Sequence, residues 1–204
     1  MKIGGIVAEY NPFHNGHKYQ LQKSVEMGEL THTVAVMSSN YVQRGETAVV
    51  SKWARAEMAV RNGIDLVIEL PTLWSTSYAQ RFAEGAVSLL DALGCVDTLS
   101  FGSECGNIDE LIACKNAINS EEVNERLKEN LDIGLGFATA RAEALRSICG
   151  NRFFDILDGA NNTLGIEYLN ALDRLGSDIV PMTVKRKGAH HDSIMKNENF
   201  ASAS

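Results

Sequence analysis

Two histidines bracket a glycine in Glu9-Tyr10-Asn11-Pro12-Phe13-His14-Asn15-Gly16-His17, and that spacing is the strongest chemical signal in the chain. The apolar, glycine-spaced run from Ile3 to Ala8 just before it predicts a buried parallel strand, and Gly16-His17-Lys18-Tyr19-Gln20-Leu21 predicts the opening of a helix. A strand that empties into a helix N-terminus gathers free backbone N–H groups and the positive end of the helix dipole at one spot, which favours an anion. Gly16 lets the backbone approach such a ligand closely. The imidazoles of His14 and His17 can donate hydrogen bonds to phosphate oxygens as charge builds in a transition state. On spacing alone, a surface histidine pair or half of a zinc site fits the same residues equally well.

Other residues offer chemistry with an ordinary reading beside it. Lys52 and Arg55 stand one helical turn apart and Arg44 lies in the loop before them; they would face a triphosphate or an RNA, or simply form a solvated basic face. Asn161-Asn162 before Thr163-Leu164-Gly165 reads first as a helix cap. In Phe101-Gly102-Ser103-Glu104 the glycine either ends a strand or leaves room for an adenine or ribose against the backbone. Glu69 would orient a lysine, bind magnesium or sit as a surface carboxylate. His190-His191-Asp192 has no third ligand at suitable spacing, so no metal site is expected there.

The elements that must position these residues alternate between strand and helix, which predicts a parallel α/β sheet with helices on both faces. Strands are expected at 2–8, 33–37, 66–70, 98–101 and 178–184, and helices at 16–28, 52–62 (with Ser51 as N-cap), 77–93 and 163–175. Residues 38–50 read as a polar loop. Residues 107–148 read as two or three helices inserted into one domain spanning 1–204. Open α/β sheets bind ligands at the carboxyl edge where strand order reverses, so His14, His17 and Gly102 would meet in one crevice if the reversal falls there.

Composition sets limits. A chain of 204 residues that is 45% hydrophobic can bury a substantial core, and no apolar run approaches the roughly 20 residues that a membrane helix needs. With no signal-peptide pattern at the N-terminus, a soluble, cytoplasmic protein is expected. Cys95, Cys105, Cys114 and Cys149 form no C-x-x-C pair, so reduced thiols are expected rather than a zinc ribbon or a redox motif. A net charge of −7 argues against a self-sufficient RNA-binding module.

The His-x-Gly-His segment at the end of the first strand resembles the signature of the nucleotidyltransferase superfamily, in which the histidines hold a nucleoside triphosphate while an acceptor oxygen attacks the α-phosphorus. Residues 7–17, Gln43-Arg44-Gly45-Glu46, Val50-Ser51-Lys52-Trp53-Ala54-Arg55, Asp65-Leu66-Val67-Ile68-Glu69-Leu70-Pro71 and Phe101-Gly102-Ser103-Glu104 are similar, in order and spacing, to the bacterial tRNA(Met) cytidine acetate ligase family. The resemblance implies a Rossmann-like nucleotidyltransferase fold. It also implies an ATP- and Mg²⁺-dependent ligase that activates acetate as acetyl-adenylate and acetylates N4 of the wobble cytidine of elongator tRNA(Met).

Carried over by residue, the resemblance puts ATP contacts on Val7, Ala8, Glu9, Tyr10, Asn11, Pro12, Phe13, His14, Asn15, Gly16, His17, Lys18, Tyr19 and Gln20, and on Gly102, Asn162 and Arg186, with His14 and His17 catalytic. Arg44, Lys52 and Arg55 become candidates for tRNA or phosphate contact. The basic segment from Val184 to Asp192 is one residue shorter than the family pattern, so Lys185 or Lys187 competes with Arg186 for its role. Phe200-Ala201-Ser202-Ala203-Ser204 looks like the start of a second phosphate motif, and family members continue for roughly as many residues again, so an N-terminal catalytic portion is expected. Two other readings stand beside this one. The first is a small-molecule nucleotidyltransferase; the second is a catalytically inert nucleotide-binding fragment.

Overall fold

The structure, a computed structural model, describes residues 1–43 and 45–187. Five parallel strands form the sheet: β1 (Ile3–Ala8), β2 (His32–Ser38), β3 (Leu66–Leu70), β4 (Thr98–Ser103) and β5 (Val180–Lys185). Their order is β3-β2-β1-β4-β5, so the chain builds outward from β1 on one side, then crosses back and builds outward on the other. The reversal falls between β1 and β4, whose register pairs Gly4 with Thr98 and Ile6 with Ser100. A crevice therefore opens at the carboxyl ends of these two strands.

Helices α1 (Asn15–Gly28) and α2 (Lys52–Arg61) cover one face. Alternation along the strands sends Ile6, Ala35 and Met37 towards them, where these residues bury with Leu21 and Ala59. The other face carries the larger core. Val7, Val34, Val36, Leu99 and Phe101 pack there against α4 (Ala79–Ala92) and α9 (Ala160–Leu175), with Phe82, Leu90, Ile166 and Leu172 among the buried contacts. Near-continuous apolar strands such as Ile3–Ala8 follow from coverage on both faces.

The expected strands and main helices form within a few residues of the sequence reading. Two differences have clear causes. The helix expected over 77–93 begins at Ala79, because Pro71 starts the separate short turn α3 (Thr72–Ser75) and Tyr78 stays extended. The late helix begins at Ala160, not at 163. A short helix that the sequence did not announce, α8 (Phe154–Asp158), delivers the chain to it.

Residues 107–148 form α5 (Ile108–Ile118), α6 (Glu121–Asp132) and α7 (Phe137–Cys149). Leu111, Cys114 and Ile118 of α5 are buried. The Lys115–Asp173 ion pair and a 2.8 Å bond from Asn119 Nδ2 to Asn170 Oδ1 tie α5 to α9. All four cysteines are unpaired, and burial pushes the Cys114 thiol up to about 12. No helix among the described residues is long and apolar enough to cross a membrane.

Candidate active site

His14 is the N-cap of α1, and the two histidines close a reciprocal cap. The Gly16 N–H donates to His14 Nδ1 at 3.0 Å, and the His14 N–H donates to His17 Nδ1 at 3.2 Å. This is the geometry of a capping box with imidazoles in place of the usual hydroxyl and carboxylate, worth about 1 kcal/mol to the helix. The rings stack, with centroids 3.7 Å apart and planes 20° from parallel. Tyr10 and Phe13 flank His17 at 4.9 and 5.5 Å.

Gly16 is required by this closure rather than by a ligand alone. A Cβ there would stand 2.8 Å from His14 Cε1 and 3.0 Å from Nδ1. The expectation of a row of free backbone N–H groups is corrected accordingly: His14 has taken the Gly16 N–H, and the His17 and Lys18 N–H groups already bond to the His14 carbonyl.

What the cap offers a ligand is better defined than free amides. An Nδ1 that accepts carries no proton, so each neutral ring holds its proton on Nε2, free to donate. Burial holds both rings below the usual histidine range, with the Arg186 charge adding to the effect; the His14 backbone partly offsets it for His14. For His17, burial, then His14 and Arg186, push the value down to about 3. The pair is therefore two neutral N–H donors in the free protein at pH 7.

A pH dependence follows. The unfolded histidine takes up its proton near 6.5, while the folded His17 resists until about 3. Its contribution to stability is thus complete above pH 6.5 and is lost, at up to about 1.4 kcal/mol per pH unit, as the pH falls towards 3. Urea unfolding at pH 6 and pH 5 checks this. The His17→Ala variant should show a shallower loss than the unaltered chain, and parallel losses would contradict the burial of a neutral ring.

Arg186 closes the crevice from the β5 side. Its N–H donates to the Ser103 carbonyl at 2.9 Å, its Nη1 lies 3.3 Å from Asn161 Oδ1, and its stem crosses Gly102. Of the competing cations, Lys185 packs its Cβ against Gly106, and Lys187 lies over the Tyr19 ring at 5.0 Å. Arg186 is the one of the three whose charge acts on both histidines. Gly102 is the penultimate residue of β4 and not a residue after it. A Cβ there would meet the stem of Arg186 at Cγ, 3.3 Å away, and the end of the Gln20 side chain at Oε1, 3.7 Å away.

Asn162 is not the helix cap that its position in the sequence implies. It sits inside the first turn of α9, is 1% exposed, and its Oδ1 accepts from the Cys105 N–H at 3.1 Å. The cap comes from Glu104, at the end of β4. Its carboxylate accepts from the Asn161 N–H (3.2 Å), Asn161 Nδ2 (2.7 Å) and the Asn162 N–H (2.8 Å). Burial alone would raise the Glu104 carboxyl, yet these bonds together hold it below the usual carboxylate range. Nothing in the local sequence pairs residues this far apart.

The second basic group divides. Arg55 is fully buried and spends its guanidinium on three backbone carbonyls: Glu9 through Nη1 at 2.6 Å, Ser39 through Nη2, and Val50 through Nε at 3.3 Å. It is corrected from a surface contact to a clamp that fastens the ends of β1 and β2 to the following loop. Lys52 pairs with Glu69 at 2.7 Å and lies 5.4 Å from the Trp53 ring centroid, so Glu69 orients a lysine. Arg44, His190, His191, Asp192 and the serine-rich end lie outside the described residues. Among the described residues, no three His, Cys, Asp or Glu side chains gather to hold a metal.

A parallel sheet with its order reversed beside a capped histidine pair defines a nucleotidyltransferase-type α/β protein. The model of the family described as HIGH Nucleotidyl Transferase matches residues 1–204, and the chain belongs to that family. Among similar proteins are the tRNA(Met) cytidine acetate ligases of Thermoanaerobacter sp. (strain X514), 51% identical over 207 residues, and Clostridium tetani, 45% identical over 210. Each alignment covers 100% of this chain and 52% of the relative, so the chain spans about half the length of the curated relatives it matches. Thermotoga maritima TmcAL is 41% identical. Its apo form I superposes with a TM-score of 0.91 over 100% of this chain and 50% of that one. The form solved with alpha-thio ATP bound gives 0.89, over 100% and 49%.

Proposed function

We propose that this chain carries the ATP-dependent activation of acetate as acetyl-adenylate, ahead of acetylation of N4 of the wobble cytidine of elongator tRNA(Met). The observation that carries the reading is the pair of neutral imidazole donors, His14 and His17, at the positive end of α1 beside Arg186. It is supported by relatives that bear the ligase name and by a neighbour of the same fold solved with an ATP analogue.

ATP lies across residues 7–20, Gly102, Asn162 and Arg186. An acetate oxygen attacks the α-phosphorus in line, a new P–O bond forms, and the bond to the β-phosphate bridging oxygen breaks to release pyrophosphate. The two Nε2–H groups and Arg186 stabilise the charge that grows on the phosphate oxygens, so positioning and electrostatics supply the rate and no protein nucleophile is needed. In the second step the cytidine amine attacks the acetyl carbonyl and AMP leaves. Mg²⁺ would accompany the nucleotide and neutralise the pyrophosphate as it leaves. The tRNA presents an unstacked base from its anticodon loop, and Lys52 at the start of α2 and, from the sequence alone, Arg44 are the candidate basic contacts for it. Such a ligase works in the cytoplasm, where tRNA and ATP are.

Exchange of labelled pyrophosphate into ATP, with and without acetate, tests this directly. Acetate-dependent exchange supports the reading. Exchange that needs a nucleotide-like acceptor selects a small-molecule nucleotidyltransferase, and ATP binding without exchange selects an inert fragment. A further expectation concerns Gly102, whose φ needs no glycine. Gly102→Val should lower ATP affinity roughly tenfold with little change in thermal midpoint, since its methyls displace Arg186 and fill the crevice. Equal loss of stability and affinity would mark a merely structural glycine.

A further inference from the structure

Arg186 and Asn161 meet at the crevice, and behind Asn161 stands a carboxylate that the proposed reaction does not use. The hydrogen-bond chemistry there has one consistent arrangement. A carboxylate only accepts, so Asn161 must turn its Nδ2 to Glu104, as it does at 2.7 Å. Its Oδ1 is thereby turned to Arg186, which only donates, at 3.3 Å. The same carboxylate grips the backbone N–H groups of Asn161 and Asn162, so neither the amide nor the helix end can swing away.

We propose that Glu104 is a positioning residue for the nucleotide site: through Asn161 it fixes the Arg186 guanidinium across Gly102 and beside the histidine pair. Glu104 has a second effect on the same site. Two helix N-termini, those of α1 and α9, flank this crevice, and both attract anions. The Glu104 carboxylate fills the one on α9, which leaves the histidine-capped terminus of α1 as the place for a phosphate. Glu104 touches no substrate atom in this scheme; it acts through its two neighbours.

The inference rests on the reading that Arg186 contacts ATP, and a double-mutant cycle separates the two. Asn161→Ala keeps both backbone bonds to Glu104 and removes the two side-chain contacts of the relay, the Nδ2 bond to Glu104 and the Oδ1 link to Arg186, so it should fold; Glu104→Gln probes the other end of the relay. ATP affinity by titration calorimetry, with thermal midpoints alongside, is the measurement. Asn161→Ala is expected to weaken ATP roughly tenfold, the worth of one charge-assisted hydrogen bond, at a nearly unchanged midpoint. Arg186→Ala should weaken it at least as much. The double variant should bind no more weakly than Arg186→Ala alone, because the relay has nothing left to hold. Additive losses, or full affinity in Asn161→Ala and Glu104→Gln, would overturn the positioning role while leaving the nucleotide site intact. Full affinity in Arg186→Ala would overturn the assignment of Arg186 itself, and the relay with it.

Discussion

Alanine at His17 is expected to cut acetate-dependent pyrophosphate exchange by about 10²–10³-fold, the usual cost of removing one preorganised donor from a site of developing charge. The substitution does two things at once. It deletes an Nε2–H donor, and it strips the His14 N–H of its acceptor, which loosens the cap by about 1 kcal/mol. His17→Glu separates them. Glutamate is the ordinary third residue of a capping box, so it can restore the bond to the His14 N–H. It also sets a negative charge where phosphate must lie. Its thermal midpoint should therefore stay near that of the unaltered chain while exchange falls at least as far as in the alanine variant. Full exchange in both His14→Ala and His17→Ala would remove the histidines from the chemistry.

Replacing Arg55 should cost more in stability than replacing either Lys52 or Arg186. Its guanidinium serves three carbonyls from separate segments. Arg55→Met fills much of the same space but leaves these oxygens buried and without that donor, at about 1–3 kcal/mol for each one that water cannot reach. A net loss of about 3 kcal/mol or more is expected in urea unfolding, or roughly 6–12 °C in midpoint for a chain of this size. Lysine should not rescue it, since one ammonium on a flexible stem cannot reproduce the planar fork. A loss under about 1 kcal/mol would contradict the clamp.

The sequence announced the parts of this molecule whose cause is local. The apolar run at Ile3–Ala8, the Ser51 cap of α2 and the strand Leu66–Leu70 closed by Pro71 all depend on residues within a few positions of one another. The histidine spacing was legible for the same reason, because a cap and its third residue lie in one turn. What stayed hidden depends on contacts across the fold. Arg55 reads as half of a basic face until β1 and β2 end beside it. Asn161-Asn162 reads as a cap until Glu104 arrives from β4 and does the capping instead. Even the Nε2–H tautomer, which makes the histidines donors, needed the positions of the Gly16 and His14 N–H groups. The resemblance pointed to the segment around His14 and His17, and the geometry supplied the stacked, reciprocally capped form that those rings take.

At the centre of the proposed chemistry, His14 and His17 meet phosphate as neutral Nε2–H donors. Nitrogen-15 NMR of histidine-labelled protein at pH 7, with and without saturating Mg·ATP, tests this most directly, and exposed His32 at the start of β2 serves as the internal control. In the free protein, His14 and His17 should both show the neutral pattern with the proton on Nε2. ATP should then shift both Nε2 resonances and leave those of His32 in place. Charged imidazoles in the free protein, or rings of His14 and His17 that do not respond to bound ATP, would contradict it.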